Sequence, residues 1–499
     1  MRRYLLFVGL ILSVGVIAQP LVTNQGAGIY IQPGGYVIVK TNSVHNANGY
    51  LENGGQFVIE GNVVNDDSLL GGVASPTGNY RVLGDWINNS NVYSNQDTVE
   101  LYGNAQLIGG TTPTLFHNLF TTGPASAIKT QGVDAFVDGN LNLNDVELAT
   151  QQYNMVVLNP NTNAVLNSKL SSSYGFVSSL DTGKLIRHTN TSSAYYYPLG
   201  TPTSTGAPFY YRPIDMKPTA SAPNAYGIRL VKDPTADTYD VNDVDNVLCK
   251  VNPLYYHRIS QNEGTTPADV KFYFNASIDK KWTEVGHWEN SRWNYTASAN
   301  PTISGGFNTL EVKNWSDYNP YPFALASKKF VVDAGPDKNV YPYQSVVLNP
   351  TVSSSNVVSY AWSPPTFLDF PDIKSPTSAP SDNVVYTLKV VDDFGCVISD
   401  SVRLLIQDEE LLIPTAFSPN KDGSNDIFRV KNTNLSQFQL QVFNRWGEKV
   451  FETTDADEGW DGTFRDVPQE LGVYVWKAEY KLNGAPSVKF ASGNLTLVR

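Results

Sequence analysis

The stretch GGQFVIEGNVVND, Gly54 to Asp66, decides the fold class. It holds two short runs, Gln56 to Ile59 and Val63 to Asn65, set apart by Glu60, Gly61 and Asn62. Runs of this length suit strands, and their alternation gives each strand one buried face. The same texture recurs in GIYIQPGGYVIVKTNSV (28–44), GNYRVLGDWINNS (78–90), DTVELYGNAQLIGG (97–110) and VDAFVDGNLNLND (133–145). A single short rung cannot bury its apolar face alone, so the expected solution is a stack of rungs, a parallel β-helix or similar solenoid. The spacing of the runs is irregular, which leaves a sandwich as the alternative.

Composition agrees with strands. Aromatic residues make up 12% and charged residues only 16% of the 499 residues, and no long stretch shows helical periodicity. A chain of this length exceeds one core, and roughly 150 residues per domain suggests about three or four domains. The net charge of -12 offers no basic face for phosphates, so nucleic acid is excluded as a partner. Arg2 and Arg3 precede an apolar run from Tyr4 to Ile17, the layout of a secretory signal peptide over residues 1–18, with cleavage expected after Ala18. The run is shorter than the ~20 apolar residues that span a bilayer. Two cysteines, Cys249 and Cys396, make no disulfide framework and are expected as buried free thiols.

Four segments follow the signal. Residues 19–168 carry the solenoid-like runs. Residues 169–327 open on the aromatic, proline-rich AYYYPLGTPTSTGAPFYYRPIDM (194–216) and continue in strands that predict a β-sandwich. Residues 328–407 again show strands at sandwich spacing, with Trp362 placed as a core indole. The acidic run Asp408, Glu409 and Glu410 then leads into a last β domain over 408–499. The chain is therefore expected to be all-β throughout.

Two of these segments carry recognisable motifs. The span 328–407, with DAGPD, YAWSP and YTLKVVDDFGC, resembles PKD-like immunoglobulin-type modules, which implies a spacer. The last segment contains LLIPTAFSPNKDGSNDIF, LQVFNRWGEKVFE, GWDGTF, ELGVYVWKAEY and GNLTLVR, in that order. Over Leu411 to Arg499 it resembles the type B, gliding-motility-associated C-terminal sorting domain of Bacteroidetes type IX secretion substrates, an Ig-like sandwich. It departs from the family pattern at Lys421, where Gly is commoner, and at Gln469-Glu470, where Leu-Pro is commoner. The stretch FHNLFTTGPASAIKTQGVDAFVDGNLNLND (116–145) resembles repeats of exported Bacteroidetes surface proteins. The sorting resemblance implies partners: outer-membrane components of the type IX system, and an outer-membrane partner that anchors the chain. The motif residues it singles out are Asn420, Asp422, Gly423, Asn425, Asp426, Asn444, Arg445, Trp446, Gly447, Trp460, Asp461, Gly462, Gly472, Val473 and Tyr474.

Chemistry is harder to find. The five histidines are scattered, and no HExxH, G-x-S-x-G or P-loop pattern occurs. No residue is a candidate for catalysis, although paired carboxylates of a glycosidase leave no fixed spacing. FSPNKDGSNDIF (417–428) lacks the closing Glu of an EF-hand and reads as a folded polar loop. Asp233, Asp237, Asp240, Asp243 and Asp245 crowd one loop, read as a solvated surface with Ca²⁺ binding as the sharper alternative. Trp282, Trp288 and Trp293 form either part of a core or a carbohydrate-stacking platform. Two roles follow for residues 19–327: a structural or adhesive surface component connected with gliding, or a protein that binds or degrades polysaccharide.

Overall fold

The computed structural model describes residues 22–499 apart from 72–77, 94–95, 125, 167–174, 207–208, 233–238, 320, 355, 408–410 and 432–433. The expected signal peptide therefore lies outside the described residues, as do Asp233 and Asp237. Strands dominate, and the one α-helix among the described residues is Ala276–Asp279. The chain divides into two compact units, one ending at Lys328 and one beginning at Lys329.

The first unit opens as a solenoid. Strands Tyr36–Val39, Gln56–Ile59, Asn79–Val82, Thr98–Leu101, Asn118–Thr121, Leu141–Asn142 and Val165–Leu166 pair in parallel, each with the next coil. A second parallel sheet runs from Val44–Asn53 through Val63–Asn65, Trp86–Asn88, Ala105–Gly110, Ile128–Gln131 and Glu147–Ala149 to Phe176–Ser178. A third adds Thr114–Phe116, Ala135–Val137, Met155–Val157 and Leu185–Thr189.

Register explains why the short runs hold. Phe57, Tyr80, Val99, Leu119, Leu141 and Val165 are consecutive partners across coils and all are buried. Each rung supplies one or two inward side chains, and the column completes the core that no rung has alone. Aromatic contacts continue inside, with Tyr80 and Trp86 edge to face at 5.9 Å and Trp86 against Phe116 at 5.4 Å.

A polar column runs beside this core. Asn24, Asn46, Asn65 and Asn88 are buried, in register, and bonded in series, each Nδ2 donating to the next Oδ1 at 2.9 Å. The second Nδ2 hydrogen of Asn46 meets the Ser68 carbonyl at 3.0 Å, so its amide is fully used. The next register position is Gly110, with φ of 114°. A Cβ there would stand 1.9 Å from the Asn88 carbonyl oxygen, so the ladder ends where only glycine fits.

The coils pass the expected boundary at 168 and continue through Phe176–Ser178 and Leu185–Thr189. Leu185–Thr189 is parallel to Met155–Val157 on one side and antiparallel to Asn224–Lys232 on the other. The solenoid sheet thus becomes one sheet of a sandwich without a break in hydrogen bonding. Tyr255–Glu263, Pro322–Lys328, Glu284–Glu289 and Arg292–Tyr295 extend it. The second sheet consists of Tyr195–Tyr197, Ile214–Pro218, Ala268–Phe274, Phe307–Trp315 and Ala299–Ser304. Phe272 bridges the layers, 5.4 Å from His257 and 5.8 Å from Phe323.

The second unit holds two further β domains. In the first, Lys338–Val340, Val397–Ile406, Val384–Asp392 and Val357–Ser363 form one sheet. Trp362 is buried there, donates from Nε1 to the Ile373 carbonyl at 3.2 Å and meets Tyr386 edge to face. In the last domain the sheet order is Ala416–Phe417, Lys489–Leu497, Gly472–Leu482, Leu435–Phe443 and Lys449–Thr453. Neither cysteine is a free thiol, which corrects the sequence expectation and suits a chain that leaves the reducing cytosol.

Candidate functional site

The conspicuous motifs of the last domain are local turns built around its sheet. In the loop 417–428 the Asp426 carboxylate accepts the Lys421 amide at 2.7 Å and the Gly423 amide at 2.8 Å. Asp422 accepts from the Ser424 amide at 2.7 Å and from Asn420 Nδ2 at 2.9 Å, while Asn420 Oδ1 takes the Asp422 amide. These donors hold the Asp422 carboxyl below its usual range, Asn420 most strongly and then the Ser424 amide. Lys421, Gly423 and Asn425 have φ of 67°, 86° and 55°. Lys421 therefore occupies a left-handed position, the physical reason glycine suits that site. With its carboxylate oxygens turned onto backbone amides, the loop is organised as a set of Asx turns.

The Asn444–Gly447 turn follows the same logic. Asn444 Oδ1 accepts the amides of Trp446 and Glu448, both at 3.0 Å, and Gly447 closes the turn at φ of 79°. Arg445 pairs with Glu470 at the surface. Trp446 projects outward and is 83% exposed. Beside it a groove of about 280 Å³ is lined by Trp446, Pro468, Leu471 and Val473, among others.

Trp460 does the opposite. It is buried, 5.3 Å from Phe417 and 4.8 Å from Tyr474, and its Nε1 donates to the Thr463 carbonyl at 2.7 Å. Asp461 accepts from the Thr463 amide and hydroxyl. Gly462, at φ of 80°, lies so close to Pro419 and Phe417 that a Cβ would come within 2.9 Å of the Pro419 ring. Tyr474 is buried and donates to the Glu470 carbonyl at 2.8 Å. Gly472, at φ of 147°, lines the groove and starts the strand that carries Val473 outward.

The fifteen motif residues therefore divide. Asn420, Asp422, Gly423, Asn425, Asp426, Asn444, Gly447, Asp461 and Gly462 build turns, Trp460 and Tyr474 build the core, and Arg445, Trp446, Gly472 and Val473 face outward. The fifteen residues omit Val475 and Phe490, also exposed, the latter at 77%. Alternation along Gly472–Leu482 signals Val475, since it shares a face with Val473. Phe490 stands opposite Glu479 on the neighbouring strand and carries no local signal.

The other candidates fall elsewhere. Trp282, Trp288 and Trp293 are buried, with Trp288 and Trp293 packed at 5.6 Å in one cluster with Leu248, Val251 and Tyr256. They belong to the sandwich core and present no ring face for a sugar to stack on. Asp245 is an anchor: its carboxylate accepts the amides of Val247, Leu248 and Tyr295. Asp240 accepts from Asn242, and Asp243 is exposed. Among the described residues these aspartates form no convergent group with metal-ligand spacing.

Comparison with known proteins adds one firm relation. No curated protein matches the chain. Among solved structures, the D00-D0 domain of intimin aligns at 11% identity over 34% of this chain and 100% of that one, with a TM-score of 0.16. Dimeric latent PorU from Porphyromonas gingivalis aligns at 8% identity over 57% of this chain and 31% of that one, TM-score 0.14. The Bacteroides ovatus mixed-linkage glucan utilization locus SGBP-B aligns at 10% identity over 50% and 72%, TM-score 0.13. At such scores none of the three bears on function. Residues 411–495 match the CHU_C Type IX secretion signal domain, and the last domain of this chain is therefore a type B sorting domain, a signal for type IX export.

Proposed function

We propose that the chain is a non-catalytic surface protein whose residues 19–327 form a structural or adhesive display, held outside the cell and connected with gliding. The segment 328–407 serves as a spacer. Recognition by outer-membrane components of the type IX system falls to the outward residues Arg445, Trp446, Gly472 and Val473, and an outer-membrane partner then retains the chain. The observation that carries this reading is the sorting-domain match over 411–495, on a domain whose turns leave Trp446 and its groove open. A long parallel stack suits a display role, since it spends its inward side chains on its own core. Expression of the full chain and of a truncation ending at Gln407 in a type IX-competent host tests it, with each product located by fractionation and surface proteolysis. Export of the full chain alone supports the reading; equal export of the truncation refutes it.

A further inference from the structure

We propose that His287, Glu289 and Asp317 form a binding site for a divalent first-row transition-metal ion of the zinc class. A ring nitrogen of His287 and one carboxylate oxygen each from Glu289 and Asp317 lie within 4.8 Å of one another. Zinc holds nitrogen and carboxylate ligands at about 2.0–2.2 Å, which places ligand atoms roughly 3–4 Å apart. A small side-chain adjustment closes that difference.

Three features of the fold assemble the group. His287 and Glu289 stand two apart on the strand Glu284–Glu289 and so share a face. The two-residue turn Asn290-Ser291, with φ of 53° and 62°, folds Arg292–Tyr295 back on that strand and fixes where it ends. Asp317 comes from the segment after Phe307–Trp315, where Trp315 Nε1 donates to the Asp317 carbonyl and the Asn319 amide binds Asp317 Oδ1 at 3.1 Å.

The histidine supplies the independent observation. It is 1% exposed, yet its Nε2 is buried with no hydrogen-bond partner among the described residues. A buried polar atom without a partner costs about 1–3 kcal/mol and calls for an explanation. Its ring is clamped at 4.8 Å from Trp315 and 4.6 Å from Phe323, so it cannot swing out to water. Among the described residues no hydrogen bond or ion pair joins the imidazole to either carboxylate, although the three ligand atoms lie within 4.8 Å of one another. One imidazole with two carboxylates suits zinc or a neighbouring transition ion, whereas calcium takes six to eight oxygens. Exposure of Glu289 leaves a fourth position open to water.

The test uses the full chain, stripped with chelator and titrated with Zn²⁺ by calorimetry, then loaded with Cu²⁺ for electron paramagnetic resonance. We expect one Zn²⁺ per chain, nitrogen hyperfine coupling from a single imidazole, and no displacement by equimolar Ca²⁺. Glu289→Gln and Asp317→Asn should each weaken binding by at least about ten-fold, because ligand loss exceeds the effect of losing an outer-shell partner. The two together should abolish it. Both positions are at least partly exposed, so the variants stay folded, and circular dichroism checks this. Absence of stoichiometric Zn²⁺ overturns the proposal. So does undiminished binding in the double variant, which would place the ion elsewhere.

Discussion

Asn46 donates from Nδ2 to Asn65 Oδ1 at 2.9 Å while Asn65 donates in turn to Asn88 Oδ1 at the same distance, all three side chains buried inside the coil. The ladder couples consecutive coils through polar groups that have no access to water. Asn65→Ala removes two of these bonds and leaves both neighbours short of a partner, at a cost of about 1–3 kcal/mol. Denaturant unfolding of the full chain measures it; a loss no larger than that of an exposed substitution would show that the ladder is incidental.

Arg212 and Asp279 form a buried ion pair at 2.6 Å, with Arg212 also donating to Tyr255 and to the Tyr211 carbonyl. Asp279→Asn leaves the guanidinium uncompensated and should cost about 3–5 kcal/mol. Arg212→Met with Asp279→Leu should recover most of that loss, since replacing both partners removes the buried charge. Equal destabilisation of the single and the double variant would refute the pairing argument.

His257 is buried, bonded through Nε2 to the Arg212 carbonyl at 2.9 Å, and burial pushes its pKa down from 6.5 to about 4. His287 is shifted in the same direction to the same value by burial. The folded value lies below the unfolded one, so between about pH 6.5 and 4 the unfolded chain takes up protons that the folded chain refuses. Stability is full above pH 6.5 and falls with pH through that window, by roughly 1.4 kcal/mol per pH unit for each histidine. His257→Gln should halve the slope in metal-free buffer. An unchanged slope would assign the acid sensitivity to other groups.

What the sequence shows depends on the range of the interaction. The rungs around Gln56–Ile59 are legible because short apolar runs bounded by Gly and Asn have few other solutions. The Asn420–Asp426 and Asn444–Gly447 turns are legible for the same reason, since every bond in them spans a few residues. The end of the solenoid is not, because it rests on Leu185 pairing with Ile228, a choice that no local pattern records. Trp288 and Trp293 read as core with a platform as the alternative, and the neighbouring strands that cover them decide for the core. The pair His287 and Glu289 is visible as alternation, but Asp317 joins it only through the sheet.

Trp460 and Trp446 separate folding from recognition in the sorting domain. Trp460→Ala removes a buried indole packed on Phe417 and Tyr474, and should cost about 3–5 kcal/mol with loss of export as a consequence of unfolding. Gly462→Ala should act in the same direction, because its left-handed backbone and the nearby Pro419 ring leave no room for a methyl group. Trp446→Ala touches an indole that is 83% exposed and should leave stability within about 0.5 kcal/mol. Under the sorting reading it should nevertheless reduce surface delivery, because the groove beside Leu471 and Val473 loses its wall. Unfolding measurements paired with surface proteolysis distinguish the two residues. Normal delivery of a stable Trp446→Ala protein would remove this face from recognition and return the search to the strand bearing Val475 and its neighbour Phe490.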